Sequence, residues 1–191
     1  MPEAVKSFDR LVWGGQDPGM VWIAPAVERG DFPAVGDEQA SLAAFLDFHR
    51  DTLLLKCSGL NGEQLASRPL PSTTLSLLGL VRHLAENERW WFRRRFDQNA
   101  ELGDLYCSEE HPDGDFDLGD AAGAEADFAT YAREVELARA TAAGRSLDEE
   151  FPGRGGTLNL RWVYLHMFEE YARHNGHADL LREAIDGATG E

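Results

Sequence analysis

Apolar residues recur every three or four positions along four stretches of the chain, which is the spacing of amphipathic α-helices. The stretches cover residues 38–59, 72–96, 121–143 and 158–185. Ser72 and Thr73 offer N-caps for the second helix, and Gly187 offers a C-cap for the fourth. No strand-like alternation of useful length interrupts them. The pattern therefore predicts an all-α protein, built as a four-helix bundle with long second and third connections.

The first 36 residues follow a different pattern, because glycines, prolines and aromatic residues alternate there without a steady period. We expect residues 1–36 to form an irregular N-terminal arm and residues 37–191 to form one bundle domain, since 191 residues suit a single core. The apolar side chains of the arm predict packing against a protein surface. That surface belongs either to the same domain or to a neighbouring subunit, so the sequence leaves a homodimer open.

Composition narrows the classes of function. The formal net charge is −16, from 34 acidic and 18 basic residues, which argues against nucleic acid as a partner because phosphates repel such a surface. No apolar stretch approaches the roughly 20 residues of a membrane span, and no secretory signal opens the chain. We therefore expect a cytoplasmic protein without a membrane partner. Two cysteines are too few for a disulfide scaffold.

The last predicted helix carries a cluster of potential metal ligands. An α-helix turns roughly 100° per residue, so His166, Glu170 and His174 share one face, with His177 nearby. A carboxylate and an imidazole four residues apart can chelate one divalent cation, but a third ligand must come from a facing helix. His83 on the second helix and His49 on the first are both candidates. Such pairs are also common on solvated helix faces, so spacing alone leaves the metal site open.

Three segments resemble a known family. Residues 79–91, GLVRHLAENERWW, resemble the second-helix signature of the DinB/YfiT-like superfamily. Residues 160–187 resemble the last helix of a small actinobacterial branch of uncharacterised DinB-like proteins, and the segment from Leu42 to Leu65 is similar to the same branch. The resemblance implies a four-helix bundle with up-down-down-up topology and a three-ligand metal centre.

By this resemblance the metal ligands are His83, Glu170 and His174. Many relatives carry histidine where this chain has Glu170, but the mycothiol-dependent maleylpyruvate isomerases, which share the fold, are similar in using His, Glu and His. The resemblance implies a divalent metal ion, with zinc expected first. A carboxylate is a harder ligand than an imidazole, which keeps nickel, iron and manganese as alternatives.

The same resemblance indicates a metal-dependent, thiol-dependent S-transferase or isomerase of the mycothiol type, with mycothiol as co-substrate and a small molecule or thiol as partner. We expect Glu86 and His177 to be catalytic, since each lies about one helical turn from a ligand, and His166 to orient Glu170. Two alternatives remain. One is a metal-dependent hydrolase, and the other is a non-catalytic, stress-related binding or dimerisation bundle.

Overall fold

The computed structural model describes residues 21–190, and the predictions for earlier arm residues such as Val12 and Trp13 lie outside the described residues. The protein is mostly helical, which confirms the predicted all-α class. Its helices are α1 (Glu38–Cys57), α2 (Gly62–Ala66), α3 (Leu77–Glu88), a π-helix (Arg89–Phe96), α4 (Gly114–Asp117), a 3-10 turn (Ala121–Gly123), α5 (Ala124–Ala142) and α6 (Leu160–Asp186).

Polar caps set the ends of the long helices. The Asp37 carboxylate accepts from the Ala40 amide at 2.8 Å and begins α1. The predicted caps of α3, Ser72 and Thr73, lie in the preceding turn, and Ser76 takes the role by accepting from the Gly79 amide at 3.0 Å. At the far end of α6, Gly187 adopts a φ of 78°, a left-handed conformation that glycine allows, as predicted.

The second predicted helix changes its winding after Glu88. Residues 89–96 form a π-helix, which closes hydrogen bonds to the fifth residue back, as in the bond from the Asp97 amide to the Phe92 carbonyl. Arg89 and Arg93 there reach the two oxygens of one buried carboxylate on α5, Glu134, at 2.7 and 2.5 Å. Hydrophobic periodicity predicts helix over this segment but not its winding.

A short hairpin joins α5 to α6 where we predicted only a glycine-rich connection. Strand β1 (Glu150–Pro152) pairs antiparallel with β2 (Thr157–Asn159). The Gly153 amide donates to the Gly156 carbonyl at 2.7 Å and closes the turn. Strands of three residues are too short to show an alternating pattern, so hydrophobic periodicity does not predict them.

The long helices enclose one apolar core. Helix α1 packs on α6, and α3 packs on both α5 and α6. The largest fully buried side chains are aromatic and lie on the π-helix, α5, β1 and α6: Phe92, Phe96, Phe128, Tyr131, Phe151 and Tyr171. No helix among residues 21–190 combines the length and apolar character needed to cross a membrane.

The described part of the arm, residues 21–36, lies against this chain's own helices. The Ala24 amide donates to the Leu60 carbonyl at 2.8 Å. The Trp22 ring meets Phe128 edge-on at 5.1 Å, and the Phe32 ring stacks on Phe45 at 4.1 Å. Of the two surfaces that the sequence left open, these residues contact the one in the same chain.

Candidate metal centre

One face of α6 presents three side chains that can bind metal. His166, Glu170 and His174 follow one another at four-residue spacing, so they line a single stripe as predicted. His174 is buried, and Glu170 and His166 are half-buried. The Asn159 side chain accepts from the Trp162 amide at 3.0 Å and caps the N-terminus of α6. The start of the helix determines which side of it these three residues occupy.

Helix α3 places His83 opposite this stripe. Its Nε2 atom lies 3.6 Å from Glu170 Oε2, and His174 Nε2 lies 3.5 Å from the same oxygen. Single ligand atoms of these three residues all lie within 4.8 Å of one another. Within residues 21–190 this is the one group of three or more such side chains close enough to share a metal ion. We call the three residues the candidate metal centre.

Two of the three separations in the candidate metal centre match those between ligands of one cation. Nitrogen–oxygen hydrogen bonds usually measure about 2.7–3.2 Å, shorter than the two separations found here. Two ligands of a tetrahedral metal with bonds of the length that zinc makes lie about 3.3–3.6 Å apart. The observed 3.5 and 3.6 Å fall in that range. Two imidazole nitrogens and a carboxylate oxygen also form an ordinary donor set for a divalent metal.

The other nitrogen of His83 contacts an acidic loop residue. His83 Nδ1 lies 2.7 Å from Asp115 Oδ2, and the Asn87 amide nitrogen lies 3.0 Å from His83 Nε2. A carboxylate can only accept and an amide nitrogen can only donate, so these contacts suit a neutral ring protonated at Nδ1. The Phe116 ring stacks on the imidazole at 4.4 Å. Nε2 then carries the lone pair, which accepts from Asn87 and lies 3.6 Å from Glu170 Oε2.

His177 and His166 lie on either side of the candidate metal centre. His177 Nδ1 is 3.4 Å from His174 Nδ1, so it faces the nitrogen that points away from Glu170. His166 Nε2 lies 3.9 Å from Glu170 Oε1, too far for a hydrogen bond, and its ring stacks on Trp162 at 4.9 Å. His49, the other candidate for the third ligand, contacts Asn175 and is not in the group.

Glu86 holds loop backbone. Its carboxylate accepts from the Leu105 amide at 2.8 Å and from the Tyr106 amide at 2.9 Å, in the loop between the π-helix and α4. Arg82, one turn earlier on α3, donates to the carbonyls of Gly114 and Asp115 at 3.0 and 2.9 Å. The side chains of Glu86 and Arg82 therefore fix the two ends of the segment 105–115, which lies over His83.

Sequence reasoning missed Asp115 and Phe116 as neighbours of His83. Both follow His83 by more than 30 positions and lie in an acidic stretch that reads as a solvated loop. The sequence feature that comes closest to indicating this loop contact is the charge of Arg82 inside an apolar helix, because a buried guanidinium must find acceptors. Arg82 is 8% exposed, and its acceptors include Asp127 and the loop carbonyls next to Phe116.

Neighbouring charges shift the pKa values of residues in and beside the candidate metal centre. His174 and then His83 hold the pKa of Glu170 far below its usual range, against the effect of burial. Burial lowers the pKa of His83, but the carboxylates of Asp115 and Glu170 outweigh burial and raise it. Burial, followed by the neighbouring His174 and Arg173, lowers the pKa of His177, which favours its neutral form. Glu170 is thus a carboxylate between two imidazoles.

Cys107 lies in the same loop but in an environment that opposes ionisation. Burial is the main cause that raises the pKa of its thiol to about 11, and the negative charges of Asp115 and Glu86 add to the shift. Reactive cysteines instead have nearby positive charge that stabilises the thiolate. The structure therefore gives Cys107 no feature of an activated nucleophile.

Long helices bring a histidine from α3 against a carboxylate and a histidine one turn apart on α6, which is the arrangement that the resemblance to DinB-like proteins implies. Comparison with family models agrees. The chain belongs to the mycothiol-S-transferase family, whose model matches residues 41–187. That range contains all three residues of the candidate metal centre. A comparison with curated proteins finds no match.

Proposed function

We propose that this protein is a metal-dependent S-transferase that uses a small thiol of the mycothiol type as its co-substrate. The observation that carries the proposal is the convergence of His83 Nε2, Glu170 Oε2 and His174 Nε2 in a chain of the mycothiol-S-transferase family. Three protein ligands leave a coordination position free, which distinguishes catalytic from structural sites. A divalent metal in this place would lower the pKa of a coordinated thiol.

The exposure of the candidate metal centre supports a small-molecule reaction. The side chains of His83, Glu170 and His174 are 20%, 14% and 10% exposed, so a small thiol can reach them from solvent. One aromatic side chain contacts the centre directly and a second lies beside it. Phe116 covers one face of His83, and Trp91 lies 4.5 Å from His166 next to Glu170. Aromatic walls limit the access of water and offer contact area to the carbon skeleton of an acceptor.

In the proposed transfer the thiol sulfur attacks an electrophilic carbon of the acceptor. A carbon–sulfur bond forms, the bond to the leaving group breaks, and the leaving group departs with the electron pair. The thiol proton must leave before the attack. We assign its acceptance to His177, whose ring contacts His174 and is partly open to solvent. We assign Glu86 to holding the loop backbone rather than to proton transfer, because amides of Leu105 and Tyr106 occupy its oxygens.

We extend the proposal to the metal, the helix topology, the location and the partner on the basis of the family and the ligand set. Zinc is the expected metal, with nickel, iron and manganese as alternatives. We propose that α1, α3, α5 and α6 form the up-down-down-up bundle of the DinB-like proteins, as one domain from residue 37 preceded by the arm. We further propose a cytoplasmic location. The partner is a small-molecule acceptor or thiol.

Conjugate formation tests the proposed function. Protein loaded with metal is incubated with mycothiol and a small alkyl halide, and the thioether product is quantified by mass spectrometry. We expect product that requires both protein and metal, and we expect His83→Ala to lose it because the metal loses one of three ligands. His111→Ala is the matched control, since it removes an exposed loop histidine.

The outcomes separate the alternative functions. Turnover of ester or amide substrates without any thiol would replace the transferase with a hydrolase at the same centre. No metal-dependent turnover, no thiol binding and a concentration-dependent dimer would contradict both enzymes and favour the binding or dimerisation bundle.

A further inference from the structure

We infer that Asp115 is a positioning residue, which holds the His83 ring so that Nε2 presents its lone pair to the metal. The inference rests on the proposed function, because it concerns how one ligand of the candidate metal centre is aimed. Asp115 Oδ2 lies 2.7 Å from His83 Nδ1. The carboxylate also interacts with the Cys107 thiol, which is not a ligand of the centre, so Asp115 reaches the centre through His83.

Both oxygens of the Asp115 carboxylate have defined partners. Oδ2 faces the imidazole, and Oδ1 accepts from the Phe116 amide at 3.0 Å. The residue is 5% exposed, so water competes little for either oxygen. A carboxylate that accepts from the far nitrogen of a metal-binding histidine fixes the tautomer and the ring orientation, and it raises the basicity of the nitrogen that binds metal.

The backbone that carries Asp115 is fixed to the same helix as His83. Arg82 donates to the Asp115 carbonyl at 2.9 Å and to the Gly114 carbonyl at 3.0 Å. Asp127 holds the Arg82 guanidinium in turn, at 3.0 and 3.1 Å. A Cβ on Gly114 would lie 2.4 Å from the Tyr106 carbonyl oxygen, so the loop needs glycine there to approach its neighbour. Asp115 is thus held in place independently of His83.

The ring of His83 is constrained on a second side. Phe116 stacks on it with a centroid distance of 4.4 Å and an angle of 25° between the planes. The stacking limits rotation of the ring plane, and the Asp115 contact selects which nitrogen carries the proton. Together they leave the lone pair on Nε2, which lies 3.0 Å from the Asn87 amide nitrogen and 3.6 Å from Glu170 Oε2, so a bound metal would replace the Asn87 hydrogen bond. The loop around residues 114–116 is therefore part of the proposed centre although it supplies no ligand.

Metal affinity tests the inference. Cobalt(II), whose visible spectrum reports its coordination, is titrated into metal-free wild type, Asp115→Asn and Asp115→Ala. Loss of an outer partner of a metal ligand weakens affinity by about 10–100-fold. We expect that loss for Asp115→Ala and a smaller one for Asp115→Asn, whose amide oxygen can still accept but is uncharged. Asp117→Asn is the matched control, because it removes an exposed charge from the same short helix, and its affinity should equal that of wild type.

The tautomer of His83 gives a readout that a merely structural role would not move. Nitrogen NMR of the metal-free protein, at a pH where His83 is neutral, should place the proton on Nδ1 in wild type and in Asp117→Asn. In Asp115→Ala the Nε2–H form should gain population. If Asp115→Ala does not fold, the same two measurements on Asp115→Asn, which keeps the side-chain size, decide the matter.

The two proposals fail in different ways. If wild type binds no metal, the proposed function fails, and the NMR measurement alone decides whether Asp115 orients His83. If wild type binds cobalt and both Asp115 variants bind it with the same affinity, spectrum and tautomer, the role of Asp115 is overturned while the proposed function stands.

Discussion

Replacing Arg50 with methionine is expected to lower the free energy of unfolding by about 3–5 kcal/mol, because it leaves a buried carboxylate without its positively charged partner. Glu88 is completely buried. Its two oxygens accept from Arg50 Nε at 2.8 Å and from Arg50 Nη2 at 2.6 Å. Methionine fills much of the same volume but leaves Glu88 without its positive partner. Urea unfolding measures the effect, with an unchanged denaturant slope as the sign of a two-state comparison.

A double-mutant cycle separates the ion pair from packing. Glu88→Leu alone should also destabilise, since it removes two bonds from buried Arg50 and leaves Asp47 as its acidic partner. The double variant Arg50→Met/Glu88→Leu should recover a large part of the loss, because a buried pair is often replaced by apolar residues at little cost. Arg133→Met, which removes an exposed pair with Glu136, is the control and should change stability by less than about 1 kcal/mol. If the loss of unfolding free energy in the double variant equals the sum of the two single losses, the two residues are not coupled.

The Arg50–Glu88 pair belongs to a network that draws one residue from each long helix. Tyr171 on α6 donates to Glu88 Oε1 at 2.8 Å, and Tyr131 on α5 lies 2.9 Å from the Tyr171 hydroxyl oxygen. Arg50 is on α1 and Glu88 is on α3. Tyr171 directly follows Glu170, so the network also fixes how α6 lies against α3. The distance between His83 and Glu170 depends on that alignment.

Replacing Glu170 with glutamine is expected to weaken metal binding more strongly than the loss of an outer partner does, beyond about 100-fold. Glutamine has nearly the same size, so the change removes the negative charge between His83 and His174 without opening a cavity. S-conjugate formation should fall with the metal. Calorimetric metal titration gives the affinity, and thermal unfolding of the metal-free variant should show that the fold is kept.

The neighbouring Glu169 provides the control for this experiment. It is exposed and pairs with Arg173 on the solvent side of α6. Glu169→Gln carries the same charge change one residue away, so it should bind metal as wild type does. Equal affinities for Glu170→Gln and Glu169→Gln would remove Glu170 from the proposed ligand set.

The sequence allowed prediction of the parts of this protein that depend on helical periodicity. The long helices were found because their apolar residues follow one face, and the stripe of Glu170 and His174 follows from the same geometry. Helix geometry leaves His83 and His49 as alternatives for the third metal ligand, and the family resemblance favours His83. The structure then brings His83 within 3.6 Å of Glu170.

Features that depend on contacts between distant segments were not predictable. Asp115 reaches His83 only because Arg82 and Glu86 fix the intervening loop, and nothing in the spacing of an acidic stretch indicates that. Arg50 and Glu88 are charged, so each reads as solvent-facing until a buried partner is known. The winding of residues 89–96 and the three-residue strands are local, but they leave no periodic signal long enough to detect.

Metal content of the untagged protein is the most direct test of the candidate metal centre. We expect about one divalent metal ion per chain after purification without a histidine tag. Chelation should remove the ion and lower the melting temperature, because a ligand that binds only the folded state stabilises it. Re-addition should restore both in wild type but not in His83→Ala. A metal-free protein, unchanged in stability by chelator or by added divalent metals, would show that His83, Glu170 and His174 do not form a metal site.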